Sequence, residues 1–522
     1  MIPSRSPSRS VSLSLQSLED RSTPATAAYS AATQTLTITG ANTDALTVSA
    51  LINKPTGYLA VANGMGTVFS SDTNNQAVRN LVVRFNTVAN GTLTVDSSVR
   101  LGGNLTVMGG TTSQLLTLAG TVGGNLTVTG TVAAADDVTI EATALVAGNL
   151  TLNLGAGNNF ARLRAGTIRG NLAVNALAGN DTVELTATGD LTVGGSASFN
   201  LGNGTNLVQS LALAQIFTVG TNFTFRGGTG KDTFDLDGSG IALRVGGDAA
   251  FMLSTPTGTD SNVVKFEALA VGRKATFTGG LGDDTILFTG GLVEGGNFTA
   301  SLGGGHNSFE MQTPGTSTNL VGGTFTYAGG AGLDQVSVDG TTVGRGLTVN
   351  LGGTDSVGQF FRAGAGGAGA VTVFGAAKVT AGSGDDEITL HRLYAGTSLT
   401  VMAGAGDDVV GIDDSDVAGT TRIDLGSGDD GLRIEMATID GGGALNAPTT
   451  FGGTVAVLAG AGDDTVQLSS DSPMNGTFIH FGARIALTGG AGTDTLDNAA
   501  ENKFEVTGNF QDFEVPPVPP LP

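Results

Sequence analysis

The chain has no cysteine and no tryptophan, only three histidines and four tyrosines, and 13 prolines in 522 residues. Without cysteine there is no disulfide framework and no thiolate metal site, an absence compatible with any compartment. Charged residues make up only 13% of the chain, and basic ones are scarce: 24 Lys and Arg stand against 46 Asp and Glu, a formal net charge of −22. Such a surface repels phosphate backbones and attracts cations, so nucleic acid is excluded as a partner. No apolar run is long enough to predict a transmembrane segment. What is abundant is glycine, 84 residues, alongside a 40% apolar fraction. With so little proline, this is neither a collagen pattern nor a low-complexity disordered chain, and there is enough apolar material for a core.

Self-similarity decides the fold. The phrase GNLTV at Gly103 and Gly124 returns as GNLTL at Gly148 and GNLAV at Gly170, then in degraded form through Gly195, Gly220, Gly247, Gly272, Gly296, Gly323 and Gly346, with later copies at Gly396, Gly419, Gly453 and Gly482. The period is about 24 residues. A second alternating segment follows a glycine turn in many units, as in GNDTVEL (179–185), GDDTILF (282–288), GDDEITL (384–390) and GDDTVQL (462–468). Alternation rich in Val, Thr, Ile and Phe argues strands, and no unit carries a helical period. A unit of strand, glycine turn, strand and short return cannot bury its inward side chains alone. Stacked coils can. The expectation is an all-β, single-chain parallel β-helix (β-solenoid) of about 16 coils of about 24 residues, right-handed by default. Within it, Leu105, Leu126, Leu150 and Leu172 give way to Phe199, Phe223, Phe251, Phe277, Phe298 and Phe325, which predicts an internal aromatic column.

The expected organisation is a leader or export segment at 1–28, an N-terminal cap with irregular first coils at 29–100, the regular solenoid at 101–498, and a C-terminal cap with a Pro-rich tail at 499–522. Within the first segment, Ser17 to Ala25, SLEDRSTPA, resembles the Leu-Glu-Asp-Arg-x-x-Pro leader of large secreted or surface proteins of planctomycete bacteria. That resemblance implies export and an extracellular or cell-surface location.

The paired aspartates are the candidate site. GGLGDDTIL, GSGDDEITL, GAGDDVVGI and GAGDDTVQL resemble the glycine-aspartate nonapeptides of RTX proteins, whose family binds calcium between turns of a small β-roll. Here the motif occurs once per coil rather than in tandem. Two interpretations stay open. An Asx after a glycine turn bonds nearby backbone and starts a strand; neutral residues at the equivalent place, Asn158-Asn159, Asn206, Asn262 and His306-Asn307, fit that. Alternatively, Asp385-Asp386, Asp407-Asp408 and Asp429-Asp430, which recur every 22 residues, stack carboxylates on three successive coils. At about 5 Å two unit charges repel by roughly 1 kcal/mol in water and about 3 at an effective dielectric of 20. Calcium, with its six to eight oxygen ligands, would relieve this, as would splaying into solvent. Asp283, Asp284, Asp463 and Asp464 are the secondary metal candidates.

A structural, adhesive or surface-layer role follows, with surface or matrix components as partners and self-association left open. The alternatives are a carbohydrate-active β-helix enzyme (lyase or hydrolase) and an RTX-like calcium-binding module. Against an enzyme stand scattered tyrosines and three histidines, His306, His391 and His480, far apart in sequence. No catalytic residue is assigned. A groove on a solenoid face that gathers an acid, a base and an aromatic would favour the enzyme.

Overall fold

A computed structural model describes residues 25–513, apart from 41–44, 65, 86–90, 111–112, 131–133, 165, 186–188, 211–215, 238–241, 254–260, 294, 313–318, 354–357, 365–368, 436–446, 469–478, 499–502 and 505–508. The expected leader motif and the Pro-rich tail lie outside the described residues, apart from Ala25 of the leader. The described chain is an all-β parallel β-solenoid with one four-residue helix, Ser71–Asn74.

Each coil contributes to three sheets. The first is 20-stranded and collects the strands after the GN phrases, such as Leu105–Met108, Leu126–Thr129 and Leu150–Ala156. The second collects the segments after the glycine turn, such as Asp137–Ile140, Asp283–Phe288 and Glu387–His391. The third was read from sequence as a short return; it is a strand of two to four residues, such as Thr121–Val122 and Leu393–Ala395. Pairing is parallel from coil to coil, for example Leu126 with Leu150 and Asp283 with Ser261. From Leu81 onward equivalent residues are 21 apart at the shortest coil and 34 at the longest. The first coil, which takes in the N-terminal meander, spans 45 to 47 (Leu36 with Leu81, Leu46 with Leu93). Insertions enter at the turns and leave the ladders in register.

At the N-terminal end the pairing changes sense. Thr26–Ser30 lies antiparallel on Thr35–Gly40, and Ala45–Ala50, Leu59–Asn63 and Gly66–Ser70 form an antiparallel meander. Tyr29 stacks on Phe69 at 6.3 Å and donates its hydroxyl to the Ala77 carbonyl. These strands occupy the edge that a parallel stack would otherwise expose.

Inward positions alternate as the strand period requires, and the core runs the length of the stack. The six phenylalanines of the expected column are all fully buried, and successive rings lie 4.7–5.6 Å apart. They do not share one register row. Phe199 pairs with Phe225, and Phe298 pairs with Ala275 while Phe277 pairs with Ala300. Each first-sheet strand offers two such inward places, and a phenylalanine in one is often balanced by an alanine in the other: Ala249 with Phe251, Ala275 with Phe277, Phe298 with Ala300. Two strands instead bury a ring at both places, Phe223 with Phe225 and Phe325 with Tyr327. A second file from the second sheet, Phe234, Phe266, Phe288 and Phe309, interleaves with the first at 5.2–5.7 Å.

Candidate functional site: the aspartate edge

The turn from the first sheet to the second carries two files of Asx side chains, one inside and one outside. In each GDD phrase the second aspartate points inward and the first outward, because strand alternation sets neighbours on opposite faces. Asp386, Asp408, Asp430 and Asp464 are buried, whereas Asp385, Asp407, Asp429 and Asp463 are exposed. Asp284 is fully buried and Asp283 half-buried. The glycines before them permit the turn: Gly406, Gly428 and Gly462 have φ of +129°, +132° and +136°, and a Cβ on any of them would fall 1.9–2.3 Å from the carbonyl oxygen of the glycine one coil back.

The inner file runs from Gln114 to Asp494. The backbone N–H of one coil's residue donates to the side-chain oxygen of the next: Asp136 to Asn159, Asn159 to Asp181, Asp284 to Asn307, Asp334 to Gln359 and Gln359 to Asp386. Through this stretch acid and amide alternate strictly: Asp136, Asn159, Asp181, Asn206, Asp232, Asn262, Asp284, Asn307, Asp334, Gln359, Asp386. The four asparagines do what a carboxylate cannot. Nδ2 of Asn159, Asn206, Asn262 and Asn307 donates to Oδ1 of the following Asp at 2.7–2.8 Å. Nδ2 of Asn159, Asn206 and Asn307 also faces carbonyls of its own turn, Gly155 and Gly157 in the case of Asn159.

A second alternation is locked to the first. The last inward residue of the first-sheet strand is Leu154, Leu201, Leu253, Leu302 or Leu351 in the amide coils, and Gly130, Ala176, Gly227, Gly279 or Gly329 in the acid coils. A Cβ on Gly130, Gly227, Gly279 or Gly329 would meet Oδ2 of its own coil's aspartate at 1.7–1.9 Å. The carboxylate takes the space that leucine fills in the amide coils.

From Asp386 onward the alternation stops. Asp386, Asp408, Asp430, Asp464 and Asp494 follow one another in five successive coils, and each of the last four accepts the previous aspartate's N–H at 2.8–3.1 Å. No amide intervenes, and Oδ2 of Asp408, Asp430, Asp464 and Asp494 is buried with no hydrogen-bond partner. Burial, reinforced by the charges of neighbouring aspartates, pushes Asp408 and Asp430 up to about 7 and Asp386 and Asp464 up to about 6. Asp284, isolated between Asn262 and Asn307, is also raised to about 7, chiefly by burial.

The outer file runs the opposite way. Oδ1 of Asp385, Asp407, Asp429 and Asp463 accepts the N–H of Asp407, Asp429, Asp463 and Thr493 in turn, at 2.8–2.9 Å. One carboxylate oxygen of each is thereby engaged by backbone. The GN asparagines form a third ladder of the same kind at the corner leading into the first sheet, from Asn80 through Asn104, Asn125 and Asn149 to Asn171.

The ten candidate aspartates are thus sorted into two files: the six from Asp385 to Asp430 stack on three successive coils as their 22-residue spacing implies, Asp463 and Asp464 follow 34 residues on, and Asp283 and Asp284 stand apart, separated from Asp385 and Asp386 by Asn307, Asp334 and Gln359. Among the described residues, the grouping that brings three ligand-type side chains within 4.8 Å lies elsewhere: His391, Asp413 and Asp414, at the corner between second and third sheets. His391 Nδ1 faces the Gly364 carbonyl at 3.1 Å, and Nε2 lies 3.3 Å from Asp414 and 3.8 Å from Asp413. Arg392 supplies countercharge to Asp414 at 3.4 Å, and the Ala447 N–H donates to its other oxygen. Arg392, Asp414 and Glu435 occupy this corner in successive coils with φ of +52°, +49° and +60°, a left-handed conformation uncommon without glycine. The signal for this cluster was the coil period itself, since His391 pairs with Asp413, 22 residues on. Comparison of the chain with protein-family models, with curated proteins and with solved structures finds no match to any of them.

Proposed function

We propose that this protein is an exported structural or adhesive rod of the cell surface or extracellular matrix, whose C-terminal aspartate edge takes calcium. The observation that carries the calcium assignment is the run of five successive coils with an inner carboxylate and no intervening amide, flanked by a parallel outer file. Asp385, Asp407, Asp429 and Asp463 each keep one carboxylate oxygen for a cation, and turn carbonyls are the hard oxygen ligands within the same edge. Support for export is the likeness of Ser17–Ala25 to a surface-protein leader.

The test is a thermal melt and calorimetric titration of the purified chain with calcium and with chelator. Saturable binding and a raised melting temperature, both lost in the triple variant Asp385→Asn, Asp407→Asn, Asp429→Asn, are the expected result. A chain that neither binds nor shifts its melt refutes the calcium assignment. Export is tested separately by cell fractionation, and a wholly cytoplasmic protein would overturn it.

A further inference from the structure

The outer face of the second sheet carries a cleft of about 370 Å³ over three successive coils, lined by outward side chains in two columns. One column reads Ser308, Gln335, Phe360; the other reads Glu310, Ser337, Arg362. Its floor exists because Ser337 stands between Glu310 and Arg362. With coils about 4.8 Å apart, the carboxylate and guanidinium rise roughly 10 Å apart at their backbones, with a notch between them. Phe360 is half-buried and walls one side with an aromatic ring, while Gln335, exposed, offers an amide on the same column.

The charges limit what fits. Arg362 is paired with Glu387 of the next coil at 3.3 Å, and Glu310 accepts a hydrogen bond from Gln312. Glu310, Arg362 and Phe360 make this a groove with an acid, a base and an aromatic, but both charges are engaged by those partners, so the cleft offers binding contacts rather than a free acid–base pair, and on a chain of net charge −22 a polyanion is disfavoured. A ring with an apolar face and several hydroxyls matches the aromatic wall and the donors and acceptors around it, and a volume of this size suits one or two such rings. We propose that this cleft binds a neutral hexose-based glycan, giving the rod a saccharide-binding site. The proposal rests on the adhesive reading for its biological sense, and on the cleft alone for its chemistry.

The experiment is isothermal titration of the purified full chain with maltohexaose, with cellohexaose and with polygalacturonate, in chelator so that calcium plays no part. Ser337→Gln fills the notch, and Phe360→Ala removes the ring; both side chains face outward, and unchanged melting temperatures check the fold. The expected result is saturable binding of a neutral hexasaccharide, abolished in S337Q and about tenfold weaker in F360A. No binding of either neutral probe at millimolar concentration, binding of polygalacturonate alone, or unaltered binding in S337Q would each overturn it. Export can fail by fractionation while this binding stands, and the reverse holds equally.

Discussion

At the scale of the residue, the inner file sets two surroundings for a buried carboxylate side by side, with and without an amide donor, although Oδ2 is unpartnered in Asp284 as in Asp430. Asn262 gives Asp284 an Nδ2–H bond; Asp408 has none to give Asp430. Asp408→Asn is therefore expected to stabilise the chain by about 1–3 kcal/mol at pH 8, by removing a buried charge and supplying a donor to Asp430. A urea unfolding series on both chains measures this. The raised carboxyls also fix the sign of the pH dependence. Their folded pKa values of about 6 to 7 exceed the unfolded value near 4, so between these pH values the folded state holds protons that the unfolded state has lost. Stability falls as pH rises through this window, and the loss is complete above about pH 7. Melting temperature followed from pH 4 to 8 should decline, less steeply in the Asp408→Asn chain. Part of the inner file was visible in sequence, where Asn206, Asn262 and Asn307 stand at turns equivalent to the paired aspartates. What composition could not convey was direction: the amide works because its NH2 faces the following coil, which only the stacked backbone reveals.

At the scale of the element, the glycine or leucine ending each first-sheet strand is set by the turn that follows it. Gly279→Ala would place a methyl 1.9 Å from Asp284 Oδ2 and 2.2 Å from the Leu302 carbonyl. Its expected cost is about 1–3 kcal/mol, read as a lowered denaturant midpoint. The interleaved rings predict a larger effect: Phe277→Ala opens space beside Phe251, Phe288 and Phe298 and should cost about 3–5 kcal/mol by the same measurement. The first and second sheets were legible because their strands alternate over four or more residues after a glycine. The third was not, since Thr121–Val122 or Asp416–Val417 is too short to show a period. Likewise the histidines looked scattered in sequence, yet the coil period brings His391 beside Asp413.

At the scale of the whole molecule, a 20-stranded sheet at about 4.8 Å per strand is about 90 Å long. Small-angle scattering should give a maximum dimension of at least this value and a cross-section that stays constant along the rod. Strand pairing joins each coil to its neighbours, with the Thr289 hydroxyl to Asp237 as a bond that skips one coil, so stability is close to a sum over adjacent pairs rather than one cooperative core. Destabilising the acid run should then loosen that end first, which hydrogen exchange resolved along the chain would register.

The paired alternation of Asn with leucine and Asp with glycine has a consequence for how such a chain changes length over generations. Between Asp136 and Asp386 a duplication or deletion of two coils leaves every donor opposite an acceptor. A change of one coil sets two acids or two amides side by side. A chain lengthened by a double coil in that stretch, some fifty residues, is therefore expected to fold with its ladder intact where one lengthened by a single coil is not, and beyond Asp386 a single coil can be added without breaking a phase.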